Sequence, residues 1–278
     1  MKSSFRFLTI LAILSVLLLF SFFSCKNSLQ EIIGIDVVSK NIILKLGTEV
    51  IANRDGECTF GEVEVGSEKN LEITIENKGN SELSLTGEPL VSIENIDGSE
   101  FEVTSLPETT IAPGQSGSFI VTFAPTREGE QSAIVEIQNS FTNNSYTFSL
   151  TGTGIAPEIV ITAESTNISI GDTFSFGSVS STIGKSVVFS ISNTGSANLH
   201  LTGNPKVEFS EGPSEEWIFH IPSQPTSPIM PMGNKDFTIQ FSPFPADIPY
   251  SVKVTIENND PDESSFQFTV TGIGFEDV

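Results

Sequence analysis

An eleven-residue stretch occurs twice in this chain, and the duplication limits the fold more than any other feature of the sequence. Asn77–Gly87 (NKGNSELSLTG) returns as Asn193–Gly203 (NTGSANLHLTG), 193 − 77 = 116 residues later. The offset holds without a gap between residues 60–89 and 176–205, and 12 of these 30 pairs are identical. A repeat of this length in a 278-residue chain indicates two copies of one structural unit.

The repeated residues have the chemistry of a turn followed by a short strand. Asn-x-Gly favours a turn, because the Asn side chain can bond nearby backbone and Gly tolerates positive φ. We therefore expect positive φ at Gly79 and Gly195. Leu-x-Leu predicts a short half-buried strand, which Thr-Gly ends.

Both copies consist of short segments in which apolar and polar residues alternate, as in strands buried on one face. No window of comparable length has helical periodicity. Seven to nine strands per copy, with frequent turn signals, predict an all-β protein made of two tandem immunoglobulin-like antiparallel β-sandwiches after an N-terminal signal segment. Phe123 and Phe241 are expected in the two cores, and Trp217 is expected at the position that Phe101 occupies in the first copy.

Four segments follow from these patterns. We expect a lipoprotein-type signal peptide over residues 1–24 and an anchor and tether over 25–40, whose apolar part packs as an irregular edge strand. The first sandwich is expected over 41–155 and the second over 156–278.

The N-terminus has the features of a targeting segment. Lys2 and Arg6 precede an apolar run over residues 7–23, and Ser24-Cys25 is followed by polar residues. A small residue before Cys resembles the bacterial lipoprotein signal, although Phe precedes Ser24 twice where the usual motif has Leu and a small residue. The resemblance implies that Cys25 is lipidated and anchors the protein in the bacterial cell envelope, at the outer membrane or the periplasmic face, with surface exposure as a further option.

Two other interpretations of the leader stay open. An ordinary secretory signal would show Ala-x-Ala-like small residues before the cleavage site, and none is present. An uncleaved anchor is compatible with the 17 residues from 7 to 23, which lie at the lower edge of a membrane span. If Cys25 carries lipid, Cys58 has no partner for a disulfide, and we expect it to be a small buried apolar residue.

The formal charge of −22 disfavours nucleic-acid binding, which needs clustered Lys and Arg to neutralise phosphates. No P-loop, nucleophile elbow or His-Glu-x-x-His motif occurs, and we expect neither catalytic residues nor a cofactor. His200 and His220 are each out of phase with the apolar residues around them, so both are expected on solvated faces.

One acidic cluster could offer several oxygen ligands to Ca²⁺, which makes it a weak candidate for a metal site. Its acidic residues are Asp260, Asp262 and Glu263. The corresponding tip of the first copy, residues 140–144, has no acids. The fold therefore does not need a metal there, and a tip rich in turn-forming residues is the favoured interpretation.

Several motifs together resemble one family. They are Asn-x-Gly-x-x-x-Leu-x-Leu-Thr-Gly, Ile111-Ala112-Pro113-Gly114, Phe-x-Val-x-Phe-x-Pro over residues 119–125, and a closing Leu-Thr-Gly-x-Gly. This set resembles choice-of-anchor D repeats, which are similar to abnormal-spindle/hydin (ASH) immunoglobulin-like domains and akin to PapD-like sandwiches. The second copy departs from these motifs at Met230–Gly233, where the Pro-Gly turn is interrupted, and at Ser242-Pro243.

The resemblance implies a scaffold or a binding or adhesion surface for a protein or glycan ligand. Two alternatives remain. One is a sugar-binding or hydrolytic envelope protein with its site in the loops Glu94–Glu100 or Glu211–Glu216. The other is a periplasmic PapD-like chaperone, although the second copy has only four basic residues to anchor a client, namely Lys185, Lys206, Lys235 and Lys253.

Overall fold

The computed structural model describes residues 38–96, 98–142, 145–213, 215 and 217–277. The signal segment, Cys25 and most of the expected tether lie outside the described residues. Within that part of the chain, no helix has the length and apolar character needed to cross a bilayer.

The first copy forms eleven strands, numbered here in chain order. They are β1 (Ile42–Leu46), β2 (Glu49–Ile51), β3 (Glu57–Glu64), β4 (Lys69–Asn77), β5 (Leu83–Ser84), β6 (Ser92–Ile96), β7 (Phe101–Ser105), β8 (Thr110–Ile111), β9 (Ser116–Phe123), β10 (Gly129–Ile137) and β11 (Tyr146–Ile155).

The second copy forms nine strands. They are β12 (Ile159–Ala163), β13 (Thr166–Ile168), β14 (Thr173–Ser180), β15 (Lys185–Asn193), β16 (Glu208–Ser210), β17 (Phe219–His220), β18 (Asn234–Phe241), β19 (Pro249–Glu257) and β20 (Ser265–Phe275).

The two main sheets have the same topology in both domains, and the first domain adds a two-stranded sheet of β5 and β8. Five strands in the order β2-β1-β4-β9-β7 face four strands in the order β3-β11-β10-β6, and the second domain repeats this as β13-β12-β15-β18-β17 and β14-β20-β19-β16. The predicted all-β fold of tandem sandwiches is confirmed. One strand pair per domain differs from the antiparallel expectation, because β3 pairs with β11, and β14 with β20, in parallel. Each of these pairings contains a register shift at a bulge.

Each domain has its own hydrophobic core, with no buried apolar residue shared between the two clusters. Phe123 and Phe241 are both fully buried, as predicted. Phe123 stacks on Phe101 at a centroid distance of 4.6 Å, and Phe241 stacks on Phe219 at the same distance. The apolar residues of the alternating pattern therefore form two aromatic-rich cores, because they all lie on the face of each long strand that points inward.

The repeated Asn-x-Gly turn holds the strand that enters each domain. Asn193 is fully buried; its Nδ2 donates to the carbonyls of Ala197 at 2.7 Å and Ile229 at 2.9 Å, and its Oδ1 accepts from the amide of Gly195 at 3.1 Å. The Oδ1 also accepts from the amide of Glu158 in the entering segment at 3.2 Å. Asn77 makes the equivalent bonds in the first domain, to Ser81, Ile111 and Gly79.

The glycine of this turn is needed for a reason that differs from our expectation. Neither Gly79 nor Gly195 is among the glycines with positive φ. A β-carbon at Gly79 would instead lie 2.3 Å from the carbonyl oxygen of Ser39, and one at Gly195 would lie 2.4 Å from that of Ala156. Glycine is required because the entering backbone passes directly over the turn.

The passage between the domains is short and hydrogen-bonded. Strand β11 ends at Ile155 and β12 begins at Ile159, so three residues separate them. The Oε1 of Glu128, from the β9–β10 loop of the first domain, accepts from the Ser196 hydroxyl at 2.6 Å and from the amide of Ala156 at 3.2 Å. The Asn-x-Gly turn of the second domain therefore contacts both the connecting segment and the first domain.

Candidate functional site

The two loops proposed for a site have different structures. In the first domain, Glu94–Ile96 belongs to strand β6, and the short remainder is closed by hydrogen bonds. The Asn95 side chain bonds both the amide and the carbonyl of Phe101, at 3.2 and 3.1 Å, and a Glu100 carboxylate oxygen accepts from the amide of Thr126 at 2.5 Å. These hydrogen bonds fix the loop to neighbouring backbone of the first domain.

The corresponding region of the second domain borders an open groove. The groove has a volume of about 400 Å³ and lies beside strands β16, β17 and β19. Its floor is apolar, with Phe209, Phe219 and Val252, and its rim includes Glu215 and His220. An apolar floor with a few polar groups at the rim is the usual composition of a ligand-binding cleft.

The acidic cluster has a structural role that the sequence did not reveal. Asp260 is buried, with 1% exposure. Its Oδ2 accepts from the amide of Ile159 at 2.8 Å, and its Oδ1 accepts from the amides of Asp262 at 3.2 Å and Glu263 at 3.4 Å. The carboxylate thus joins the β19–β20 hairpin to the first residue of β12, and both of its oxygens are engaged by backbone amides.

Glu158 also belongs to this cluster, together with Asp260 and Asp262. Their carboxylate oxygens lie within 4.8 Å of one another, and in the described part of the chain this is the one group of three or more potential metal ligands. Glu263, the third residue expected from the sequence, is not in the group. Burial, followed by the neighbouring carboxylates, raises the pKa of Glu158 and of Glu263. Burial and the adjacent Asp262 raise the pKa of Asp260, against the lowering effect of the Ile159 amide.

His200 and His220 are both exposed, as predicted. His200 lies near the hairpin tip, where its backbone amide donates to the Asn259 side chain at 2.6 Å. His220 lies at the end of strand β17, directly opposite Gln240 of β18. The two imidazoles therefore belong to different regions of the second domain.

Trp217 does not occupy the position of Phe101, which corrects the sequence alignment. Phe219 pairs with Phe241 in the sheet as Phe101 pairs with Phe123, so the offset is already 241 − 123 = 118 at this point. Trp217 consequently corresponds to Ser99. Its side chain is 51% exposed and packs against exposed Phe244, with ring centroids 6.2 Å apart.

Trp217 belongs to an exposed apolar surface at one end of the second domain. We call this end the exit pole; it comprises the β14–β15 turn, the β18–β19 loop, the segment before β17 and the end of β20. Its exposed apolar residues are Ile183, Trp217, Phe244, Ile248, Ile273 and Phe275. Backbone bonds hold these segments together, because the Ser242 amide donates to the Ile218 carbonyl and the Asp247 amide to the Gly274 carbonyl.

The first domain carries polar residues at four of the six exit-pole positions. By the repeat offsets, Ile183 corresponds to Ser67, Phe244 to Thr126 and Ile273 to Thr153, in addition to Trp217 and Ser99. The fold therefore does not require apolar side chains at these positions. The sequence does show apolar residues within turns, which could have indicated this surface. The alignment of Trp217 with the buried Phe101 assigned Trp217 to the core instead.

The comparisons with known proteins concern the fold. Residues 54–153 match the family model described as HYDIN/CFA65/VesB-like, Ig-like domain. No curated protein matches the sequence.

Solved structures that resemble this chain do so at low identity. A protein of unknown function from Porphyromonas gingivalis W83 is 13% identical with a TM-score of 0.32, over 83% of this chain and 99% of that one. The ASH/PapD-like domain 7 of human CEP192 is 14% identical with a TM-score of 0.30, over 44% of this chain and 92% of that one. The VesB protease of Vibrio cholerae is 20% identical with a TM-score of 0.28, over 36% of this chain and 30% of that one.

Similarity at this level carries no implication for activity or ligand. The family match covers the first domain, and the second domain repeats its sheet order and its buried asparagine turn. The first domain is therefore similar to HYDIN/CFA65/VesB-like Ig-like domains, and the second domain repeats its fold.

Proposed function

We propose that this protein is a non-enzymatic lipoprotein of the bacterial envelope that uses its tandem domains as a scaffold for a binding surface. The observation that carries the proposal is the exit pole of the second domain. Four of its six apolar side chains are exposed at positions where the same fold in the first domain has polar ones. Exposed apolar surface without a role in folding is typical of interaction sites.

The arrangement of the chain suits a display function. Cys25 would carry the lipid, and stable anchoring needs more than one acyl chain. The chain enters the first domain at Ser39–Asn41, which the Asn77 turn holds through bonds from Lys78 to Asn41 and from Asn80 to Ser39. Strand β20 runs 11 residues away from the entry side of the second domain, about 35 Å at ~3.3 Å per residue, so the exit pole lies far from the entering chain.

The proposal of a non-enzymatic role rests on the chemistry of the described side chains. General acid–base catalysis requires a titratable group within hydrogen-bond reach of a second group that activates or orients it. His200 and His220 are exposed on separate parts of the second domain, and the Asp260 carboxylate binds backbone amides. These side chains have structural or solvated positions.

The chaperone alternative is weakened by the positions of the basic residues. Lys185 pairs with Glu164 at 3.3 Å, and Lys253 pairs with Glu211 at 3.3 Å. Lys206 donates to the carbonyl of Leu201 in its own domain at 2.7 Å. Three of the four basic side chains are therefore engaged locally, whereas a chaperone of this class needs them free to bind a client terminus.

The anchor can be tested by metabolic labelling with radioactive palmitate. The wild-type protein should be labelled and should partition into detergent, whereas Cys25→Ala should not be labelled. A Cys25→Ala protein that still incorporates palmitate would contradict the lipoprotein assignment. An unlabelled wild-type protein that stays in the membrane would indicate an uncleaved anchor.

The binding role can be tested by cross-linking in the native cells. The wild-type protein should give a cross-linked product that Phe244→Ser and Ile183→Ser, which restore the polar character of the first domain, both reduce. Met232→Ser serves as the control, since Met232 is 83% exposed but lies in the β17–β18 connection outside the exit pole. Turnover of envelope glycans by the same preparation, abolished by His220→Ala, would support the hydrolytic alternative instead.

A further inference from the structure

The exit pole contains one concave site whose lining is chemically distinct from the rest of that surface. The site has a volume of about 410 Å³ and is lined by Trp217, His220, Gln240 and Ser242. This volume is at the lower end of the range for small-molecule sites, about 300–1,000 Å³. Strand pairing sets the arrangement, because His220 of the edge strand β17 lies directly opposite Gln240 of β18.

The polar side chains of this site, His220, Gln240 and Ser242, can both donate and accept hydrogen bonds. A carboxamide, a hydroxyl and a neutral imidazole each donate and accept, whereas ammonium groups only donate and carboxylates only accept. Among the described residues that line the site, none is Asp, Glu, Lys or Arg. The fourth wall is an exposed indole, which offers a flat apolar face beside these polar groups.

The first domain has none of these four residues at the equivalent positions. Its counterparts are Ser99, Glu102, Thr122 and Ala124. Thr122 is hydrogen-bonded to Thr104 at 2.9 Å and to Asn70 at 2.6 Å, so that its hydroxyl is engaged within the sheet. The lining of the second domain is therefore an addition to the common fold.

We propose that this site binds a neutral sugar ring, which stacks on the indole of Trp217 while its hydroxyl groups bond His220, Gln240 and Ser242. A pyranose has an apolar face of C–H groups and a rim of hydroxyl groups, each a donor and an acceptor, which matches this lining. The proposal rests on the binding function proposed above and specifies its ligand class.

Other ligand classes fit the lining less well. Phosphates and acidic peptides require positive charge, and the formal net charge of −22 repels them. An apolar peptide would be expected to bury its side chains against apolar walls, whereas three of the four lining residues are polar. A protein partner at the wider exit pole is a separate outcome that the experiment distinguishes.

Trp217 allows a direct measurement, because it is the one tryptophan in the 278-residue chain. Fluorescence of the full-length protein in a sugar-free detergent is titrated with lactose, maltotriose, cellotriose and N-acetylglucosamine trimer, up to about 50 mM to detect weak binding. At least one sugar should produce a saturable change. His220→Ala and Gln240→Ala should each weaken its binding about fivefold or more. Gln138→Ala, an exposed glutamine of the first domain, should have no effect.

Two further measurements make the result decisive. Trp217→Ala should abolish binding of the same sugar in calorimetry, and sialyllactose, an anionic sugar, should bind more weakly than that neutral sugar. The proposal is overturned if none of the neutral sugars changes the fluorescence, if sialyllactose binds as well as the neutral sugar that binds most tightly, or if Trp217→Ala binds the sugar normally. It is also overturned if the emission shifts with protein concentration alone, which would identify the site as a contact between copies. If sugar binding fails while the exit-pole variants still reduce cross-linking, only the ligand class is wrong and the binding function stands.

Discussion

The side-chain amide of one asparagine in each domain connects its own turn to a segment that is distant in sequence. For Asn193 the turn includes Gly195 and Ala197, and the distant segment is the one at Ile229. The amide is suited to this role because it provides two donors and an acceptor in one plane. Aspartate at this position would lose both donors and bury a charge.

We predict that Asn193→Ala lowers the free energy of unfolding by about 2–4 kcal/mol, because it leaves buried carbonyl and amide groups without partners. Urea denaturation of the fragment beginning at residue 38 measures this change. Asn167→Ala is the control, since Asn167 is exposed on strand β13 and its loss should stay within about 0.5 kcal/mol. Equal midpoints for the two variants would contradict the role assigned to Asn193.

Cys58 provides a second prediction at the scale of one residue. It is buried, with 1% exposure, as its alternation with Phe60 predicted. Burial, together with the charge of Glu57, raises the pKa of its thiol from 9.0 to about 11. At pH 8 the thiolate is therefore about one-thousandth of the population, and the thiolate is the reactive species.

In a Cys25→Ser protein, Cys58 is the sole remaining thiol. We expect it to react with Ellman's reagent at pH 8 at least about a hundredfold more slowly in the native protein than in urea. Rapid reaction under native conditions would show that the β3 strand opens far more readily than a packed core strand should. The matched measurement on free glutathione controls for the reagent.

At the scale of strands, the Gly-x-Gly end of β11 is shaped to receive the Phe-x-Pro end of β9. A β-carbon at Gly152 would lie 2.6 Å from the ring of Phe123, and one at Gly154 would lie 3.0 Å from the Pro125 ring. The second domain repeats the arrangement with Gly272 beneath Phe241 and Gly274 beneath Pro243, at 2.3 and 2.7 Å. Two motifs separated by about thirty residues in sequence thus form one packing unit.

We predict that Gly152→Ala destabilises the first domain by about 1–3 kcal/mol, because the added methyl group overpacks the core. Phe123→Leu alone should also destabilise, through loss of aromatic packing. The double variant should lose less than the sum of the two, since the smaller side chain makes room for the methyl group. A double-mutant cycle from urea denaturation measures the coupling, and strict additivity would argue against direct contact.

At the scale of the whole molecule, acidic side chains concentrate where the chain passes between the domains. Glu128 of the first domain, Glu158 of the connecting segment and the hairpin residues Asp260, Asp262 and Glu263 influence one another there. The pKa of Glu158, Asp260 and Glu263 is raised in the folded protein. A raised carboxyl pKa means that the native state binds protons more tightly than the unfolded chain.

We therefore predict that stability rises as the pH falls from 7 towards the ordinary carboxyl value of about 4. Above about pH 5.5, Glu76, whose pKa is lowered by hydrogen bonds to Lys45 and Lys78, stays largely ionised in both states and adds little slope. Its stabilising pairing is lost only at lower pH. Urea midpoints measured from pH 7 to pH 5 test the sign.

The contribution of the cluster can be separated from the general negative charge of the chain. Asp262→Asn removes one charge from the cluster and should reduce the slope of stability against pH. Glu108→Gln removes one exposed charge elsewhere in the first domain and should leave the slope nearly unchanged. Identical slopes in the two variants would mean that the cluster contributes nothing specific.

The all-β class, the duplication and most of the core could be predicted from the sequence because strand periodicity and repeat offsets are local signals. Alternation placed Phe123, Phe241 and Cys58 inside, and each is buried. The parallel β3–β11 pairing could not be predicted, because it joins residues about ninety positions apart and depends on which edges meet. The sequence located both candidate loops. Which of them borders a groove depends on the hydrogen bonds and packing of each loop in the folded domain, and these are not local signals.

What the sequence by itself determined is the repeated unit: its strands, its aromatic core and the Asn-x-Gly turn that both copies share. Only the tertiary structure decided why Gly79 and Gly195 are glycines, that Asp260 binds the amide of Ile159, and that Trp217 lies on the surface. These properties depend on backbone segments distant in sequence coming within a few ångströms of one another. Periodicity reports which face of a strand is buried, whereas the neighbours that approach a turn are set by packing.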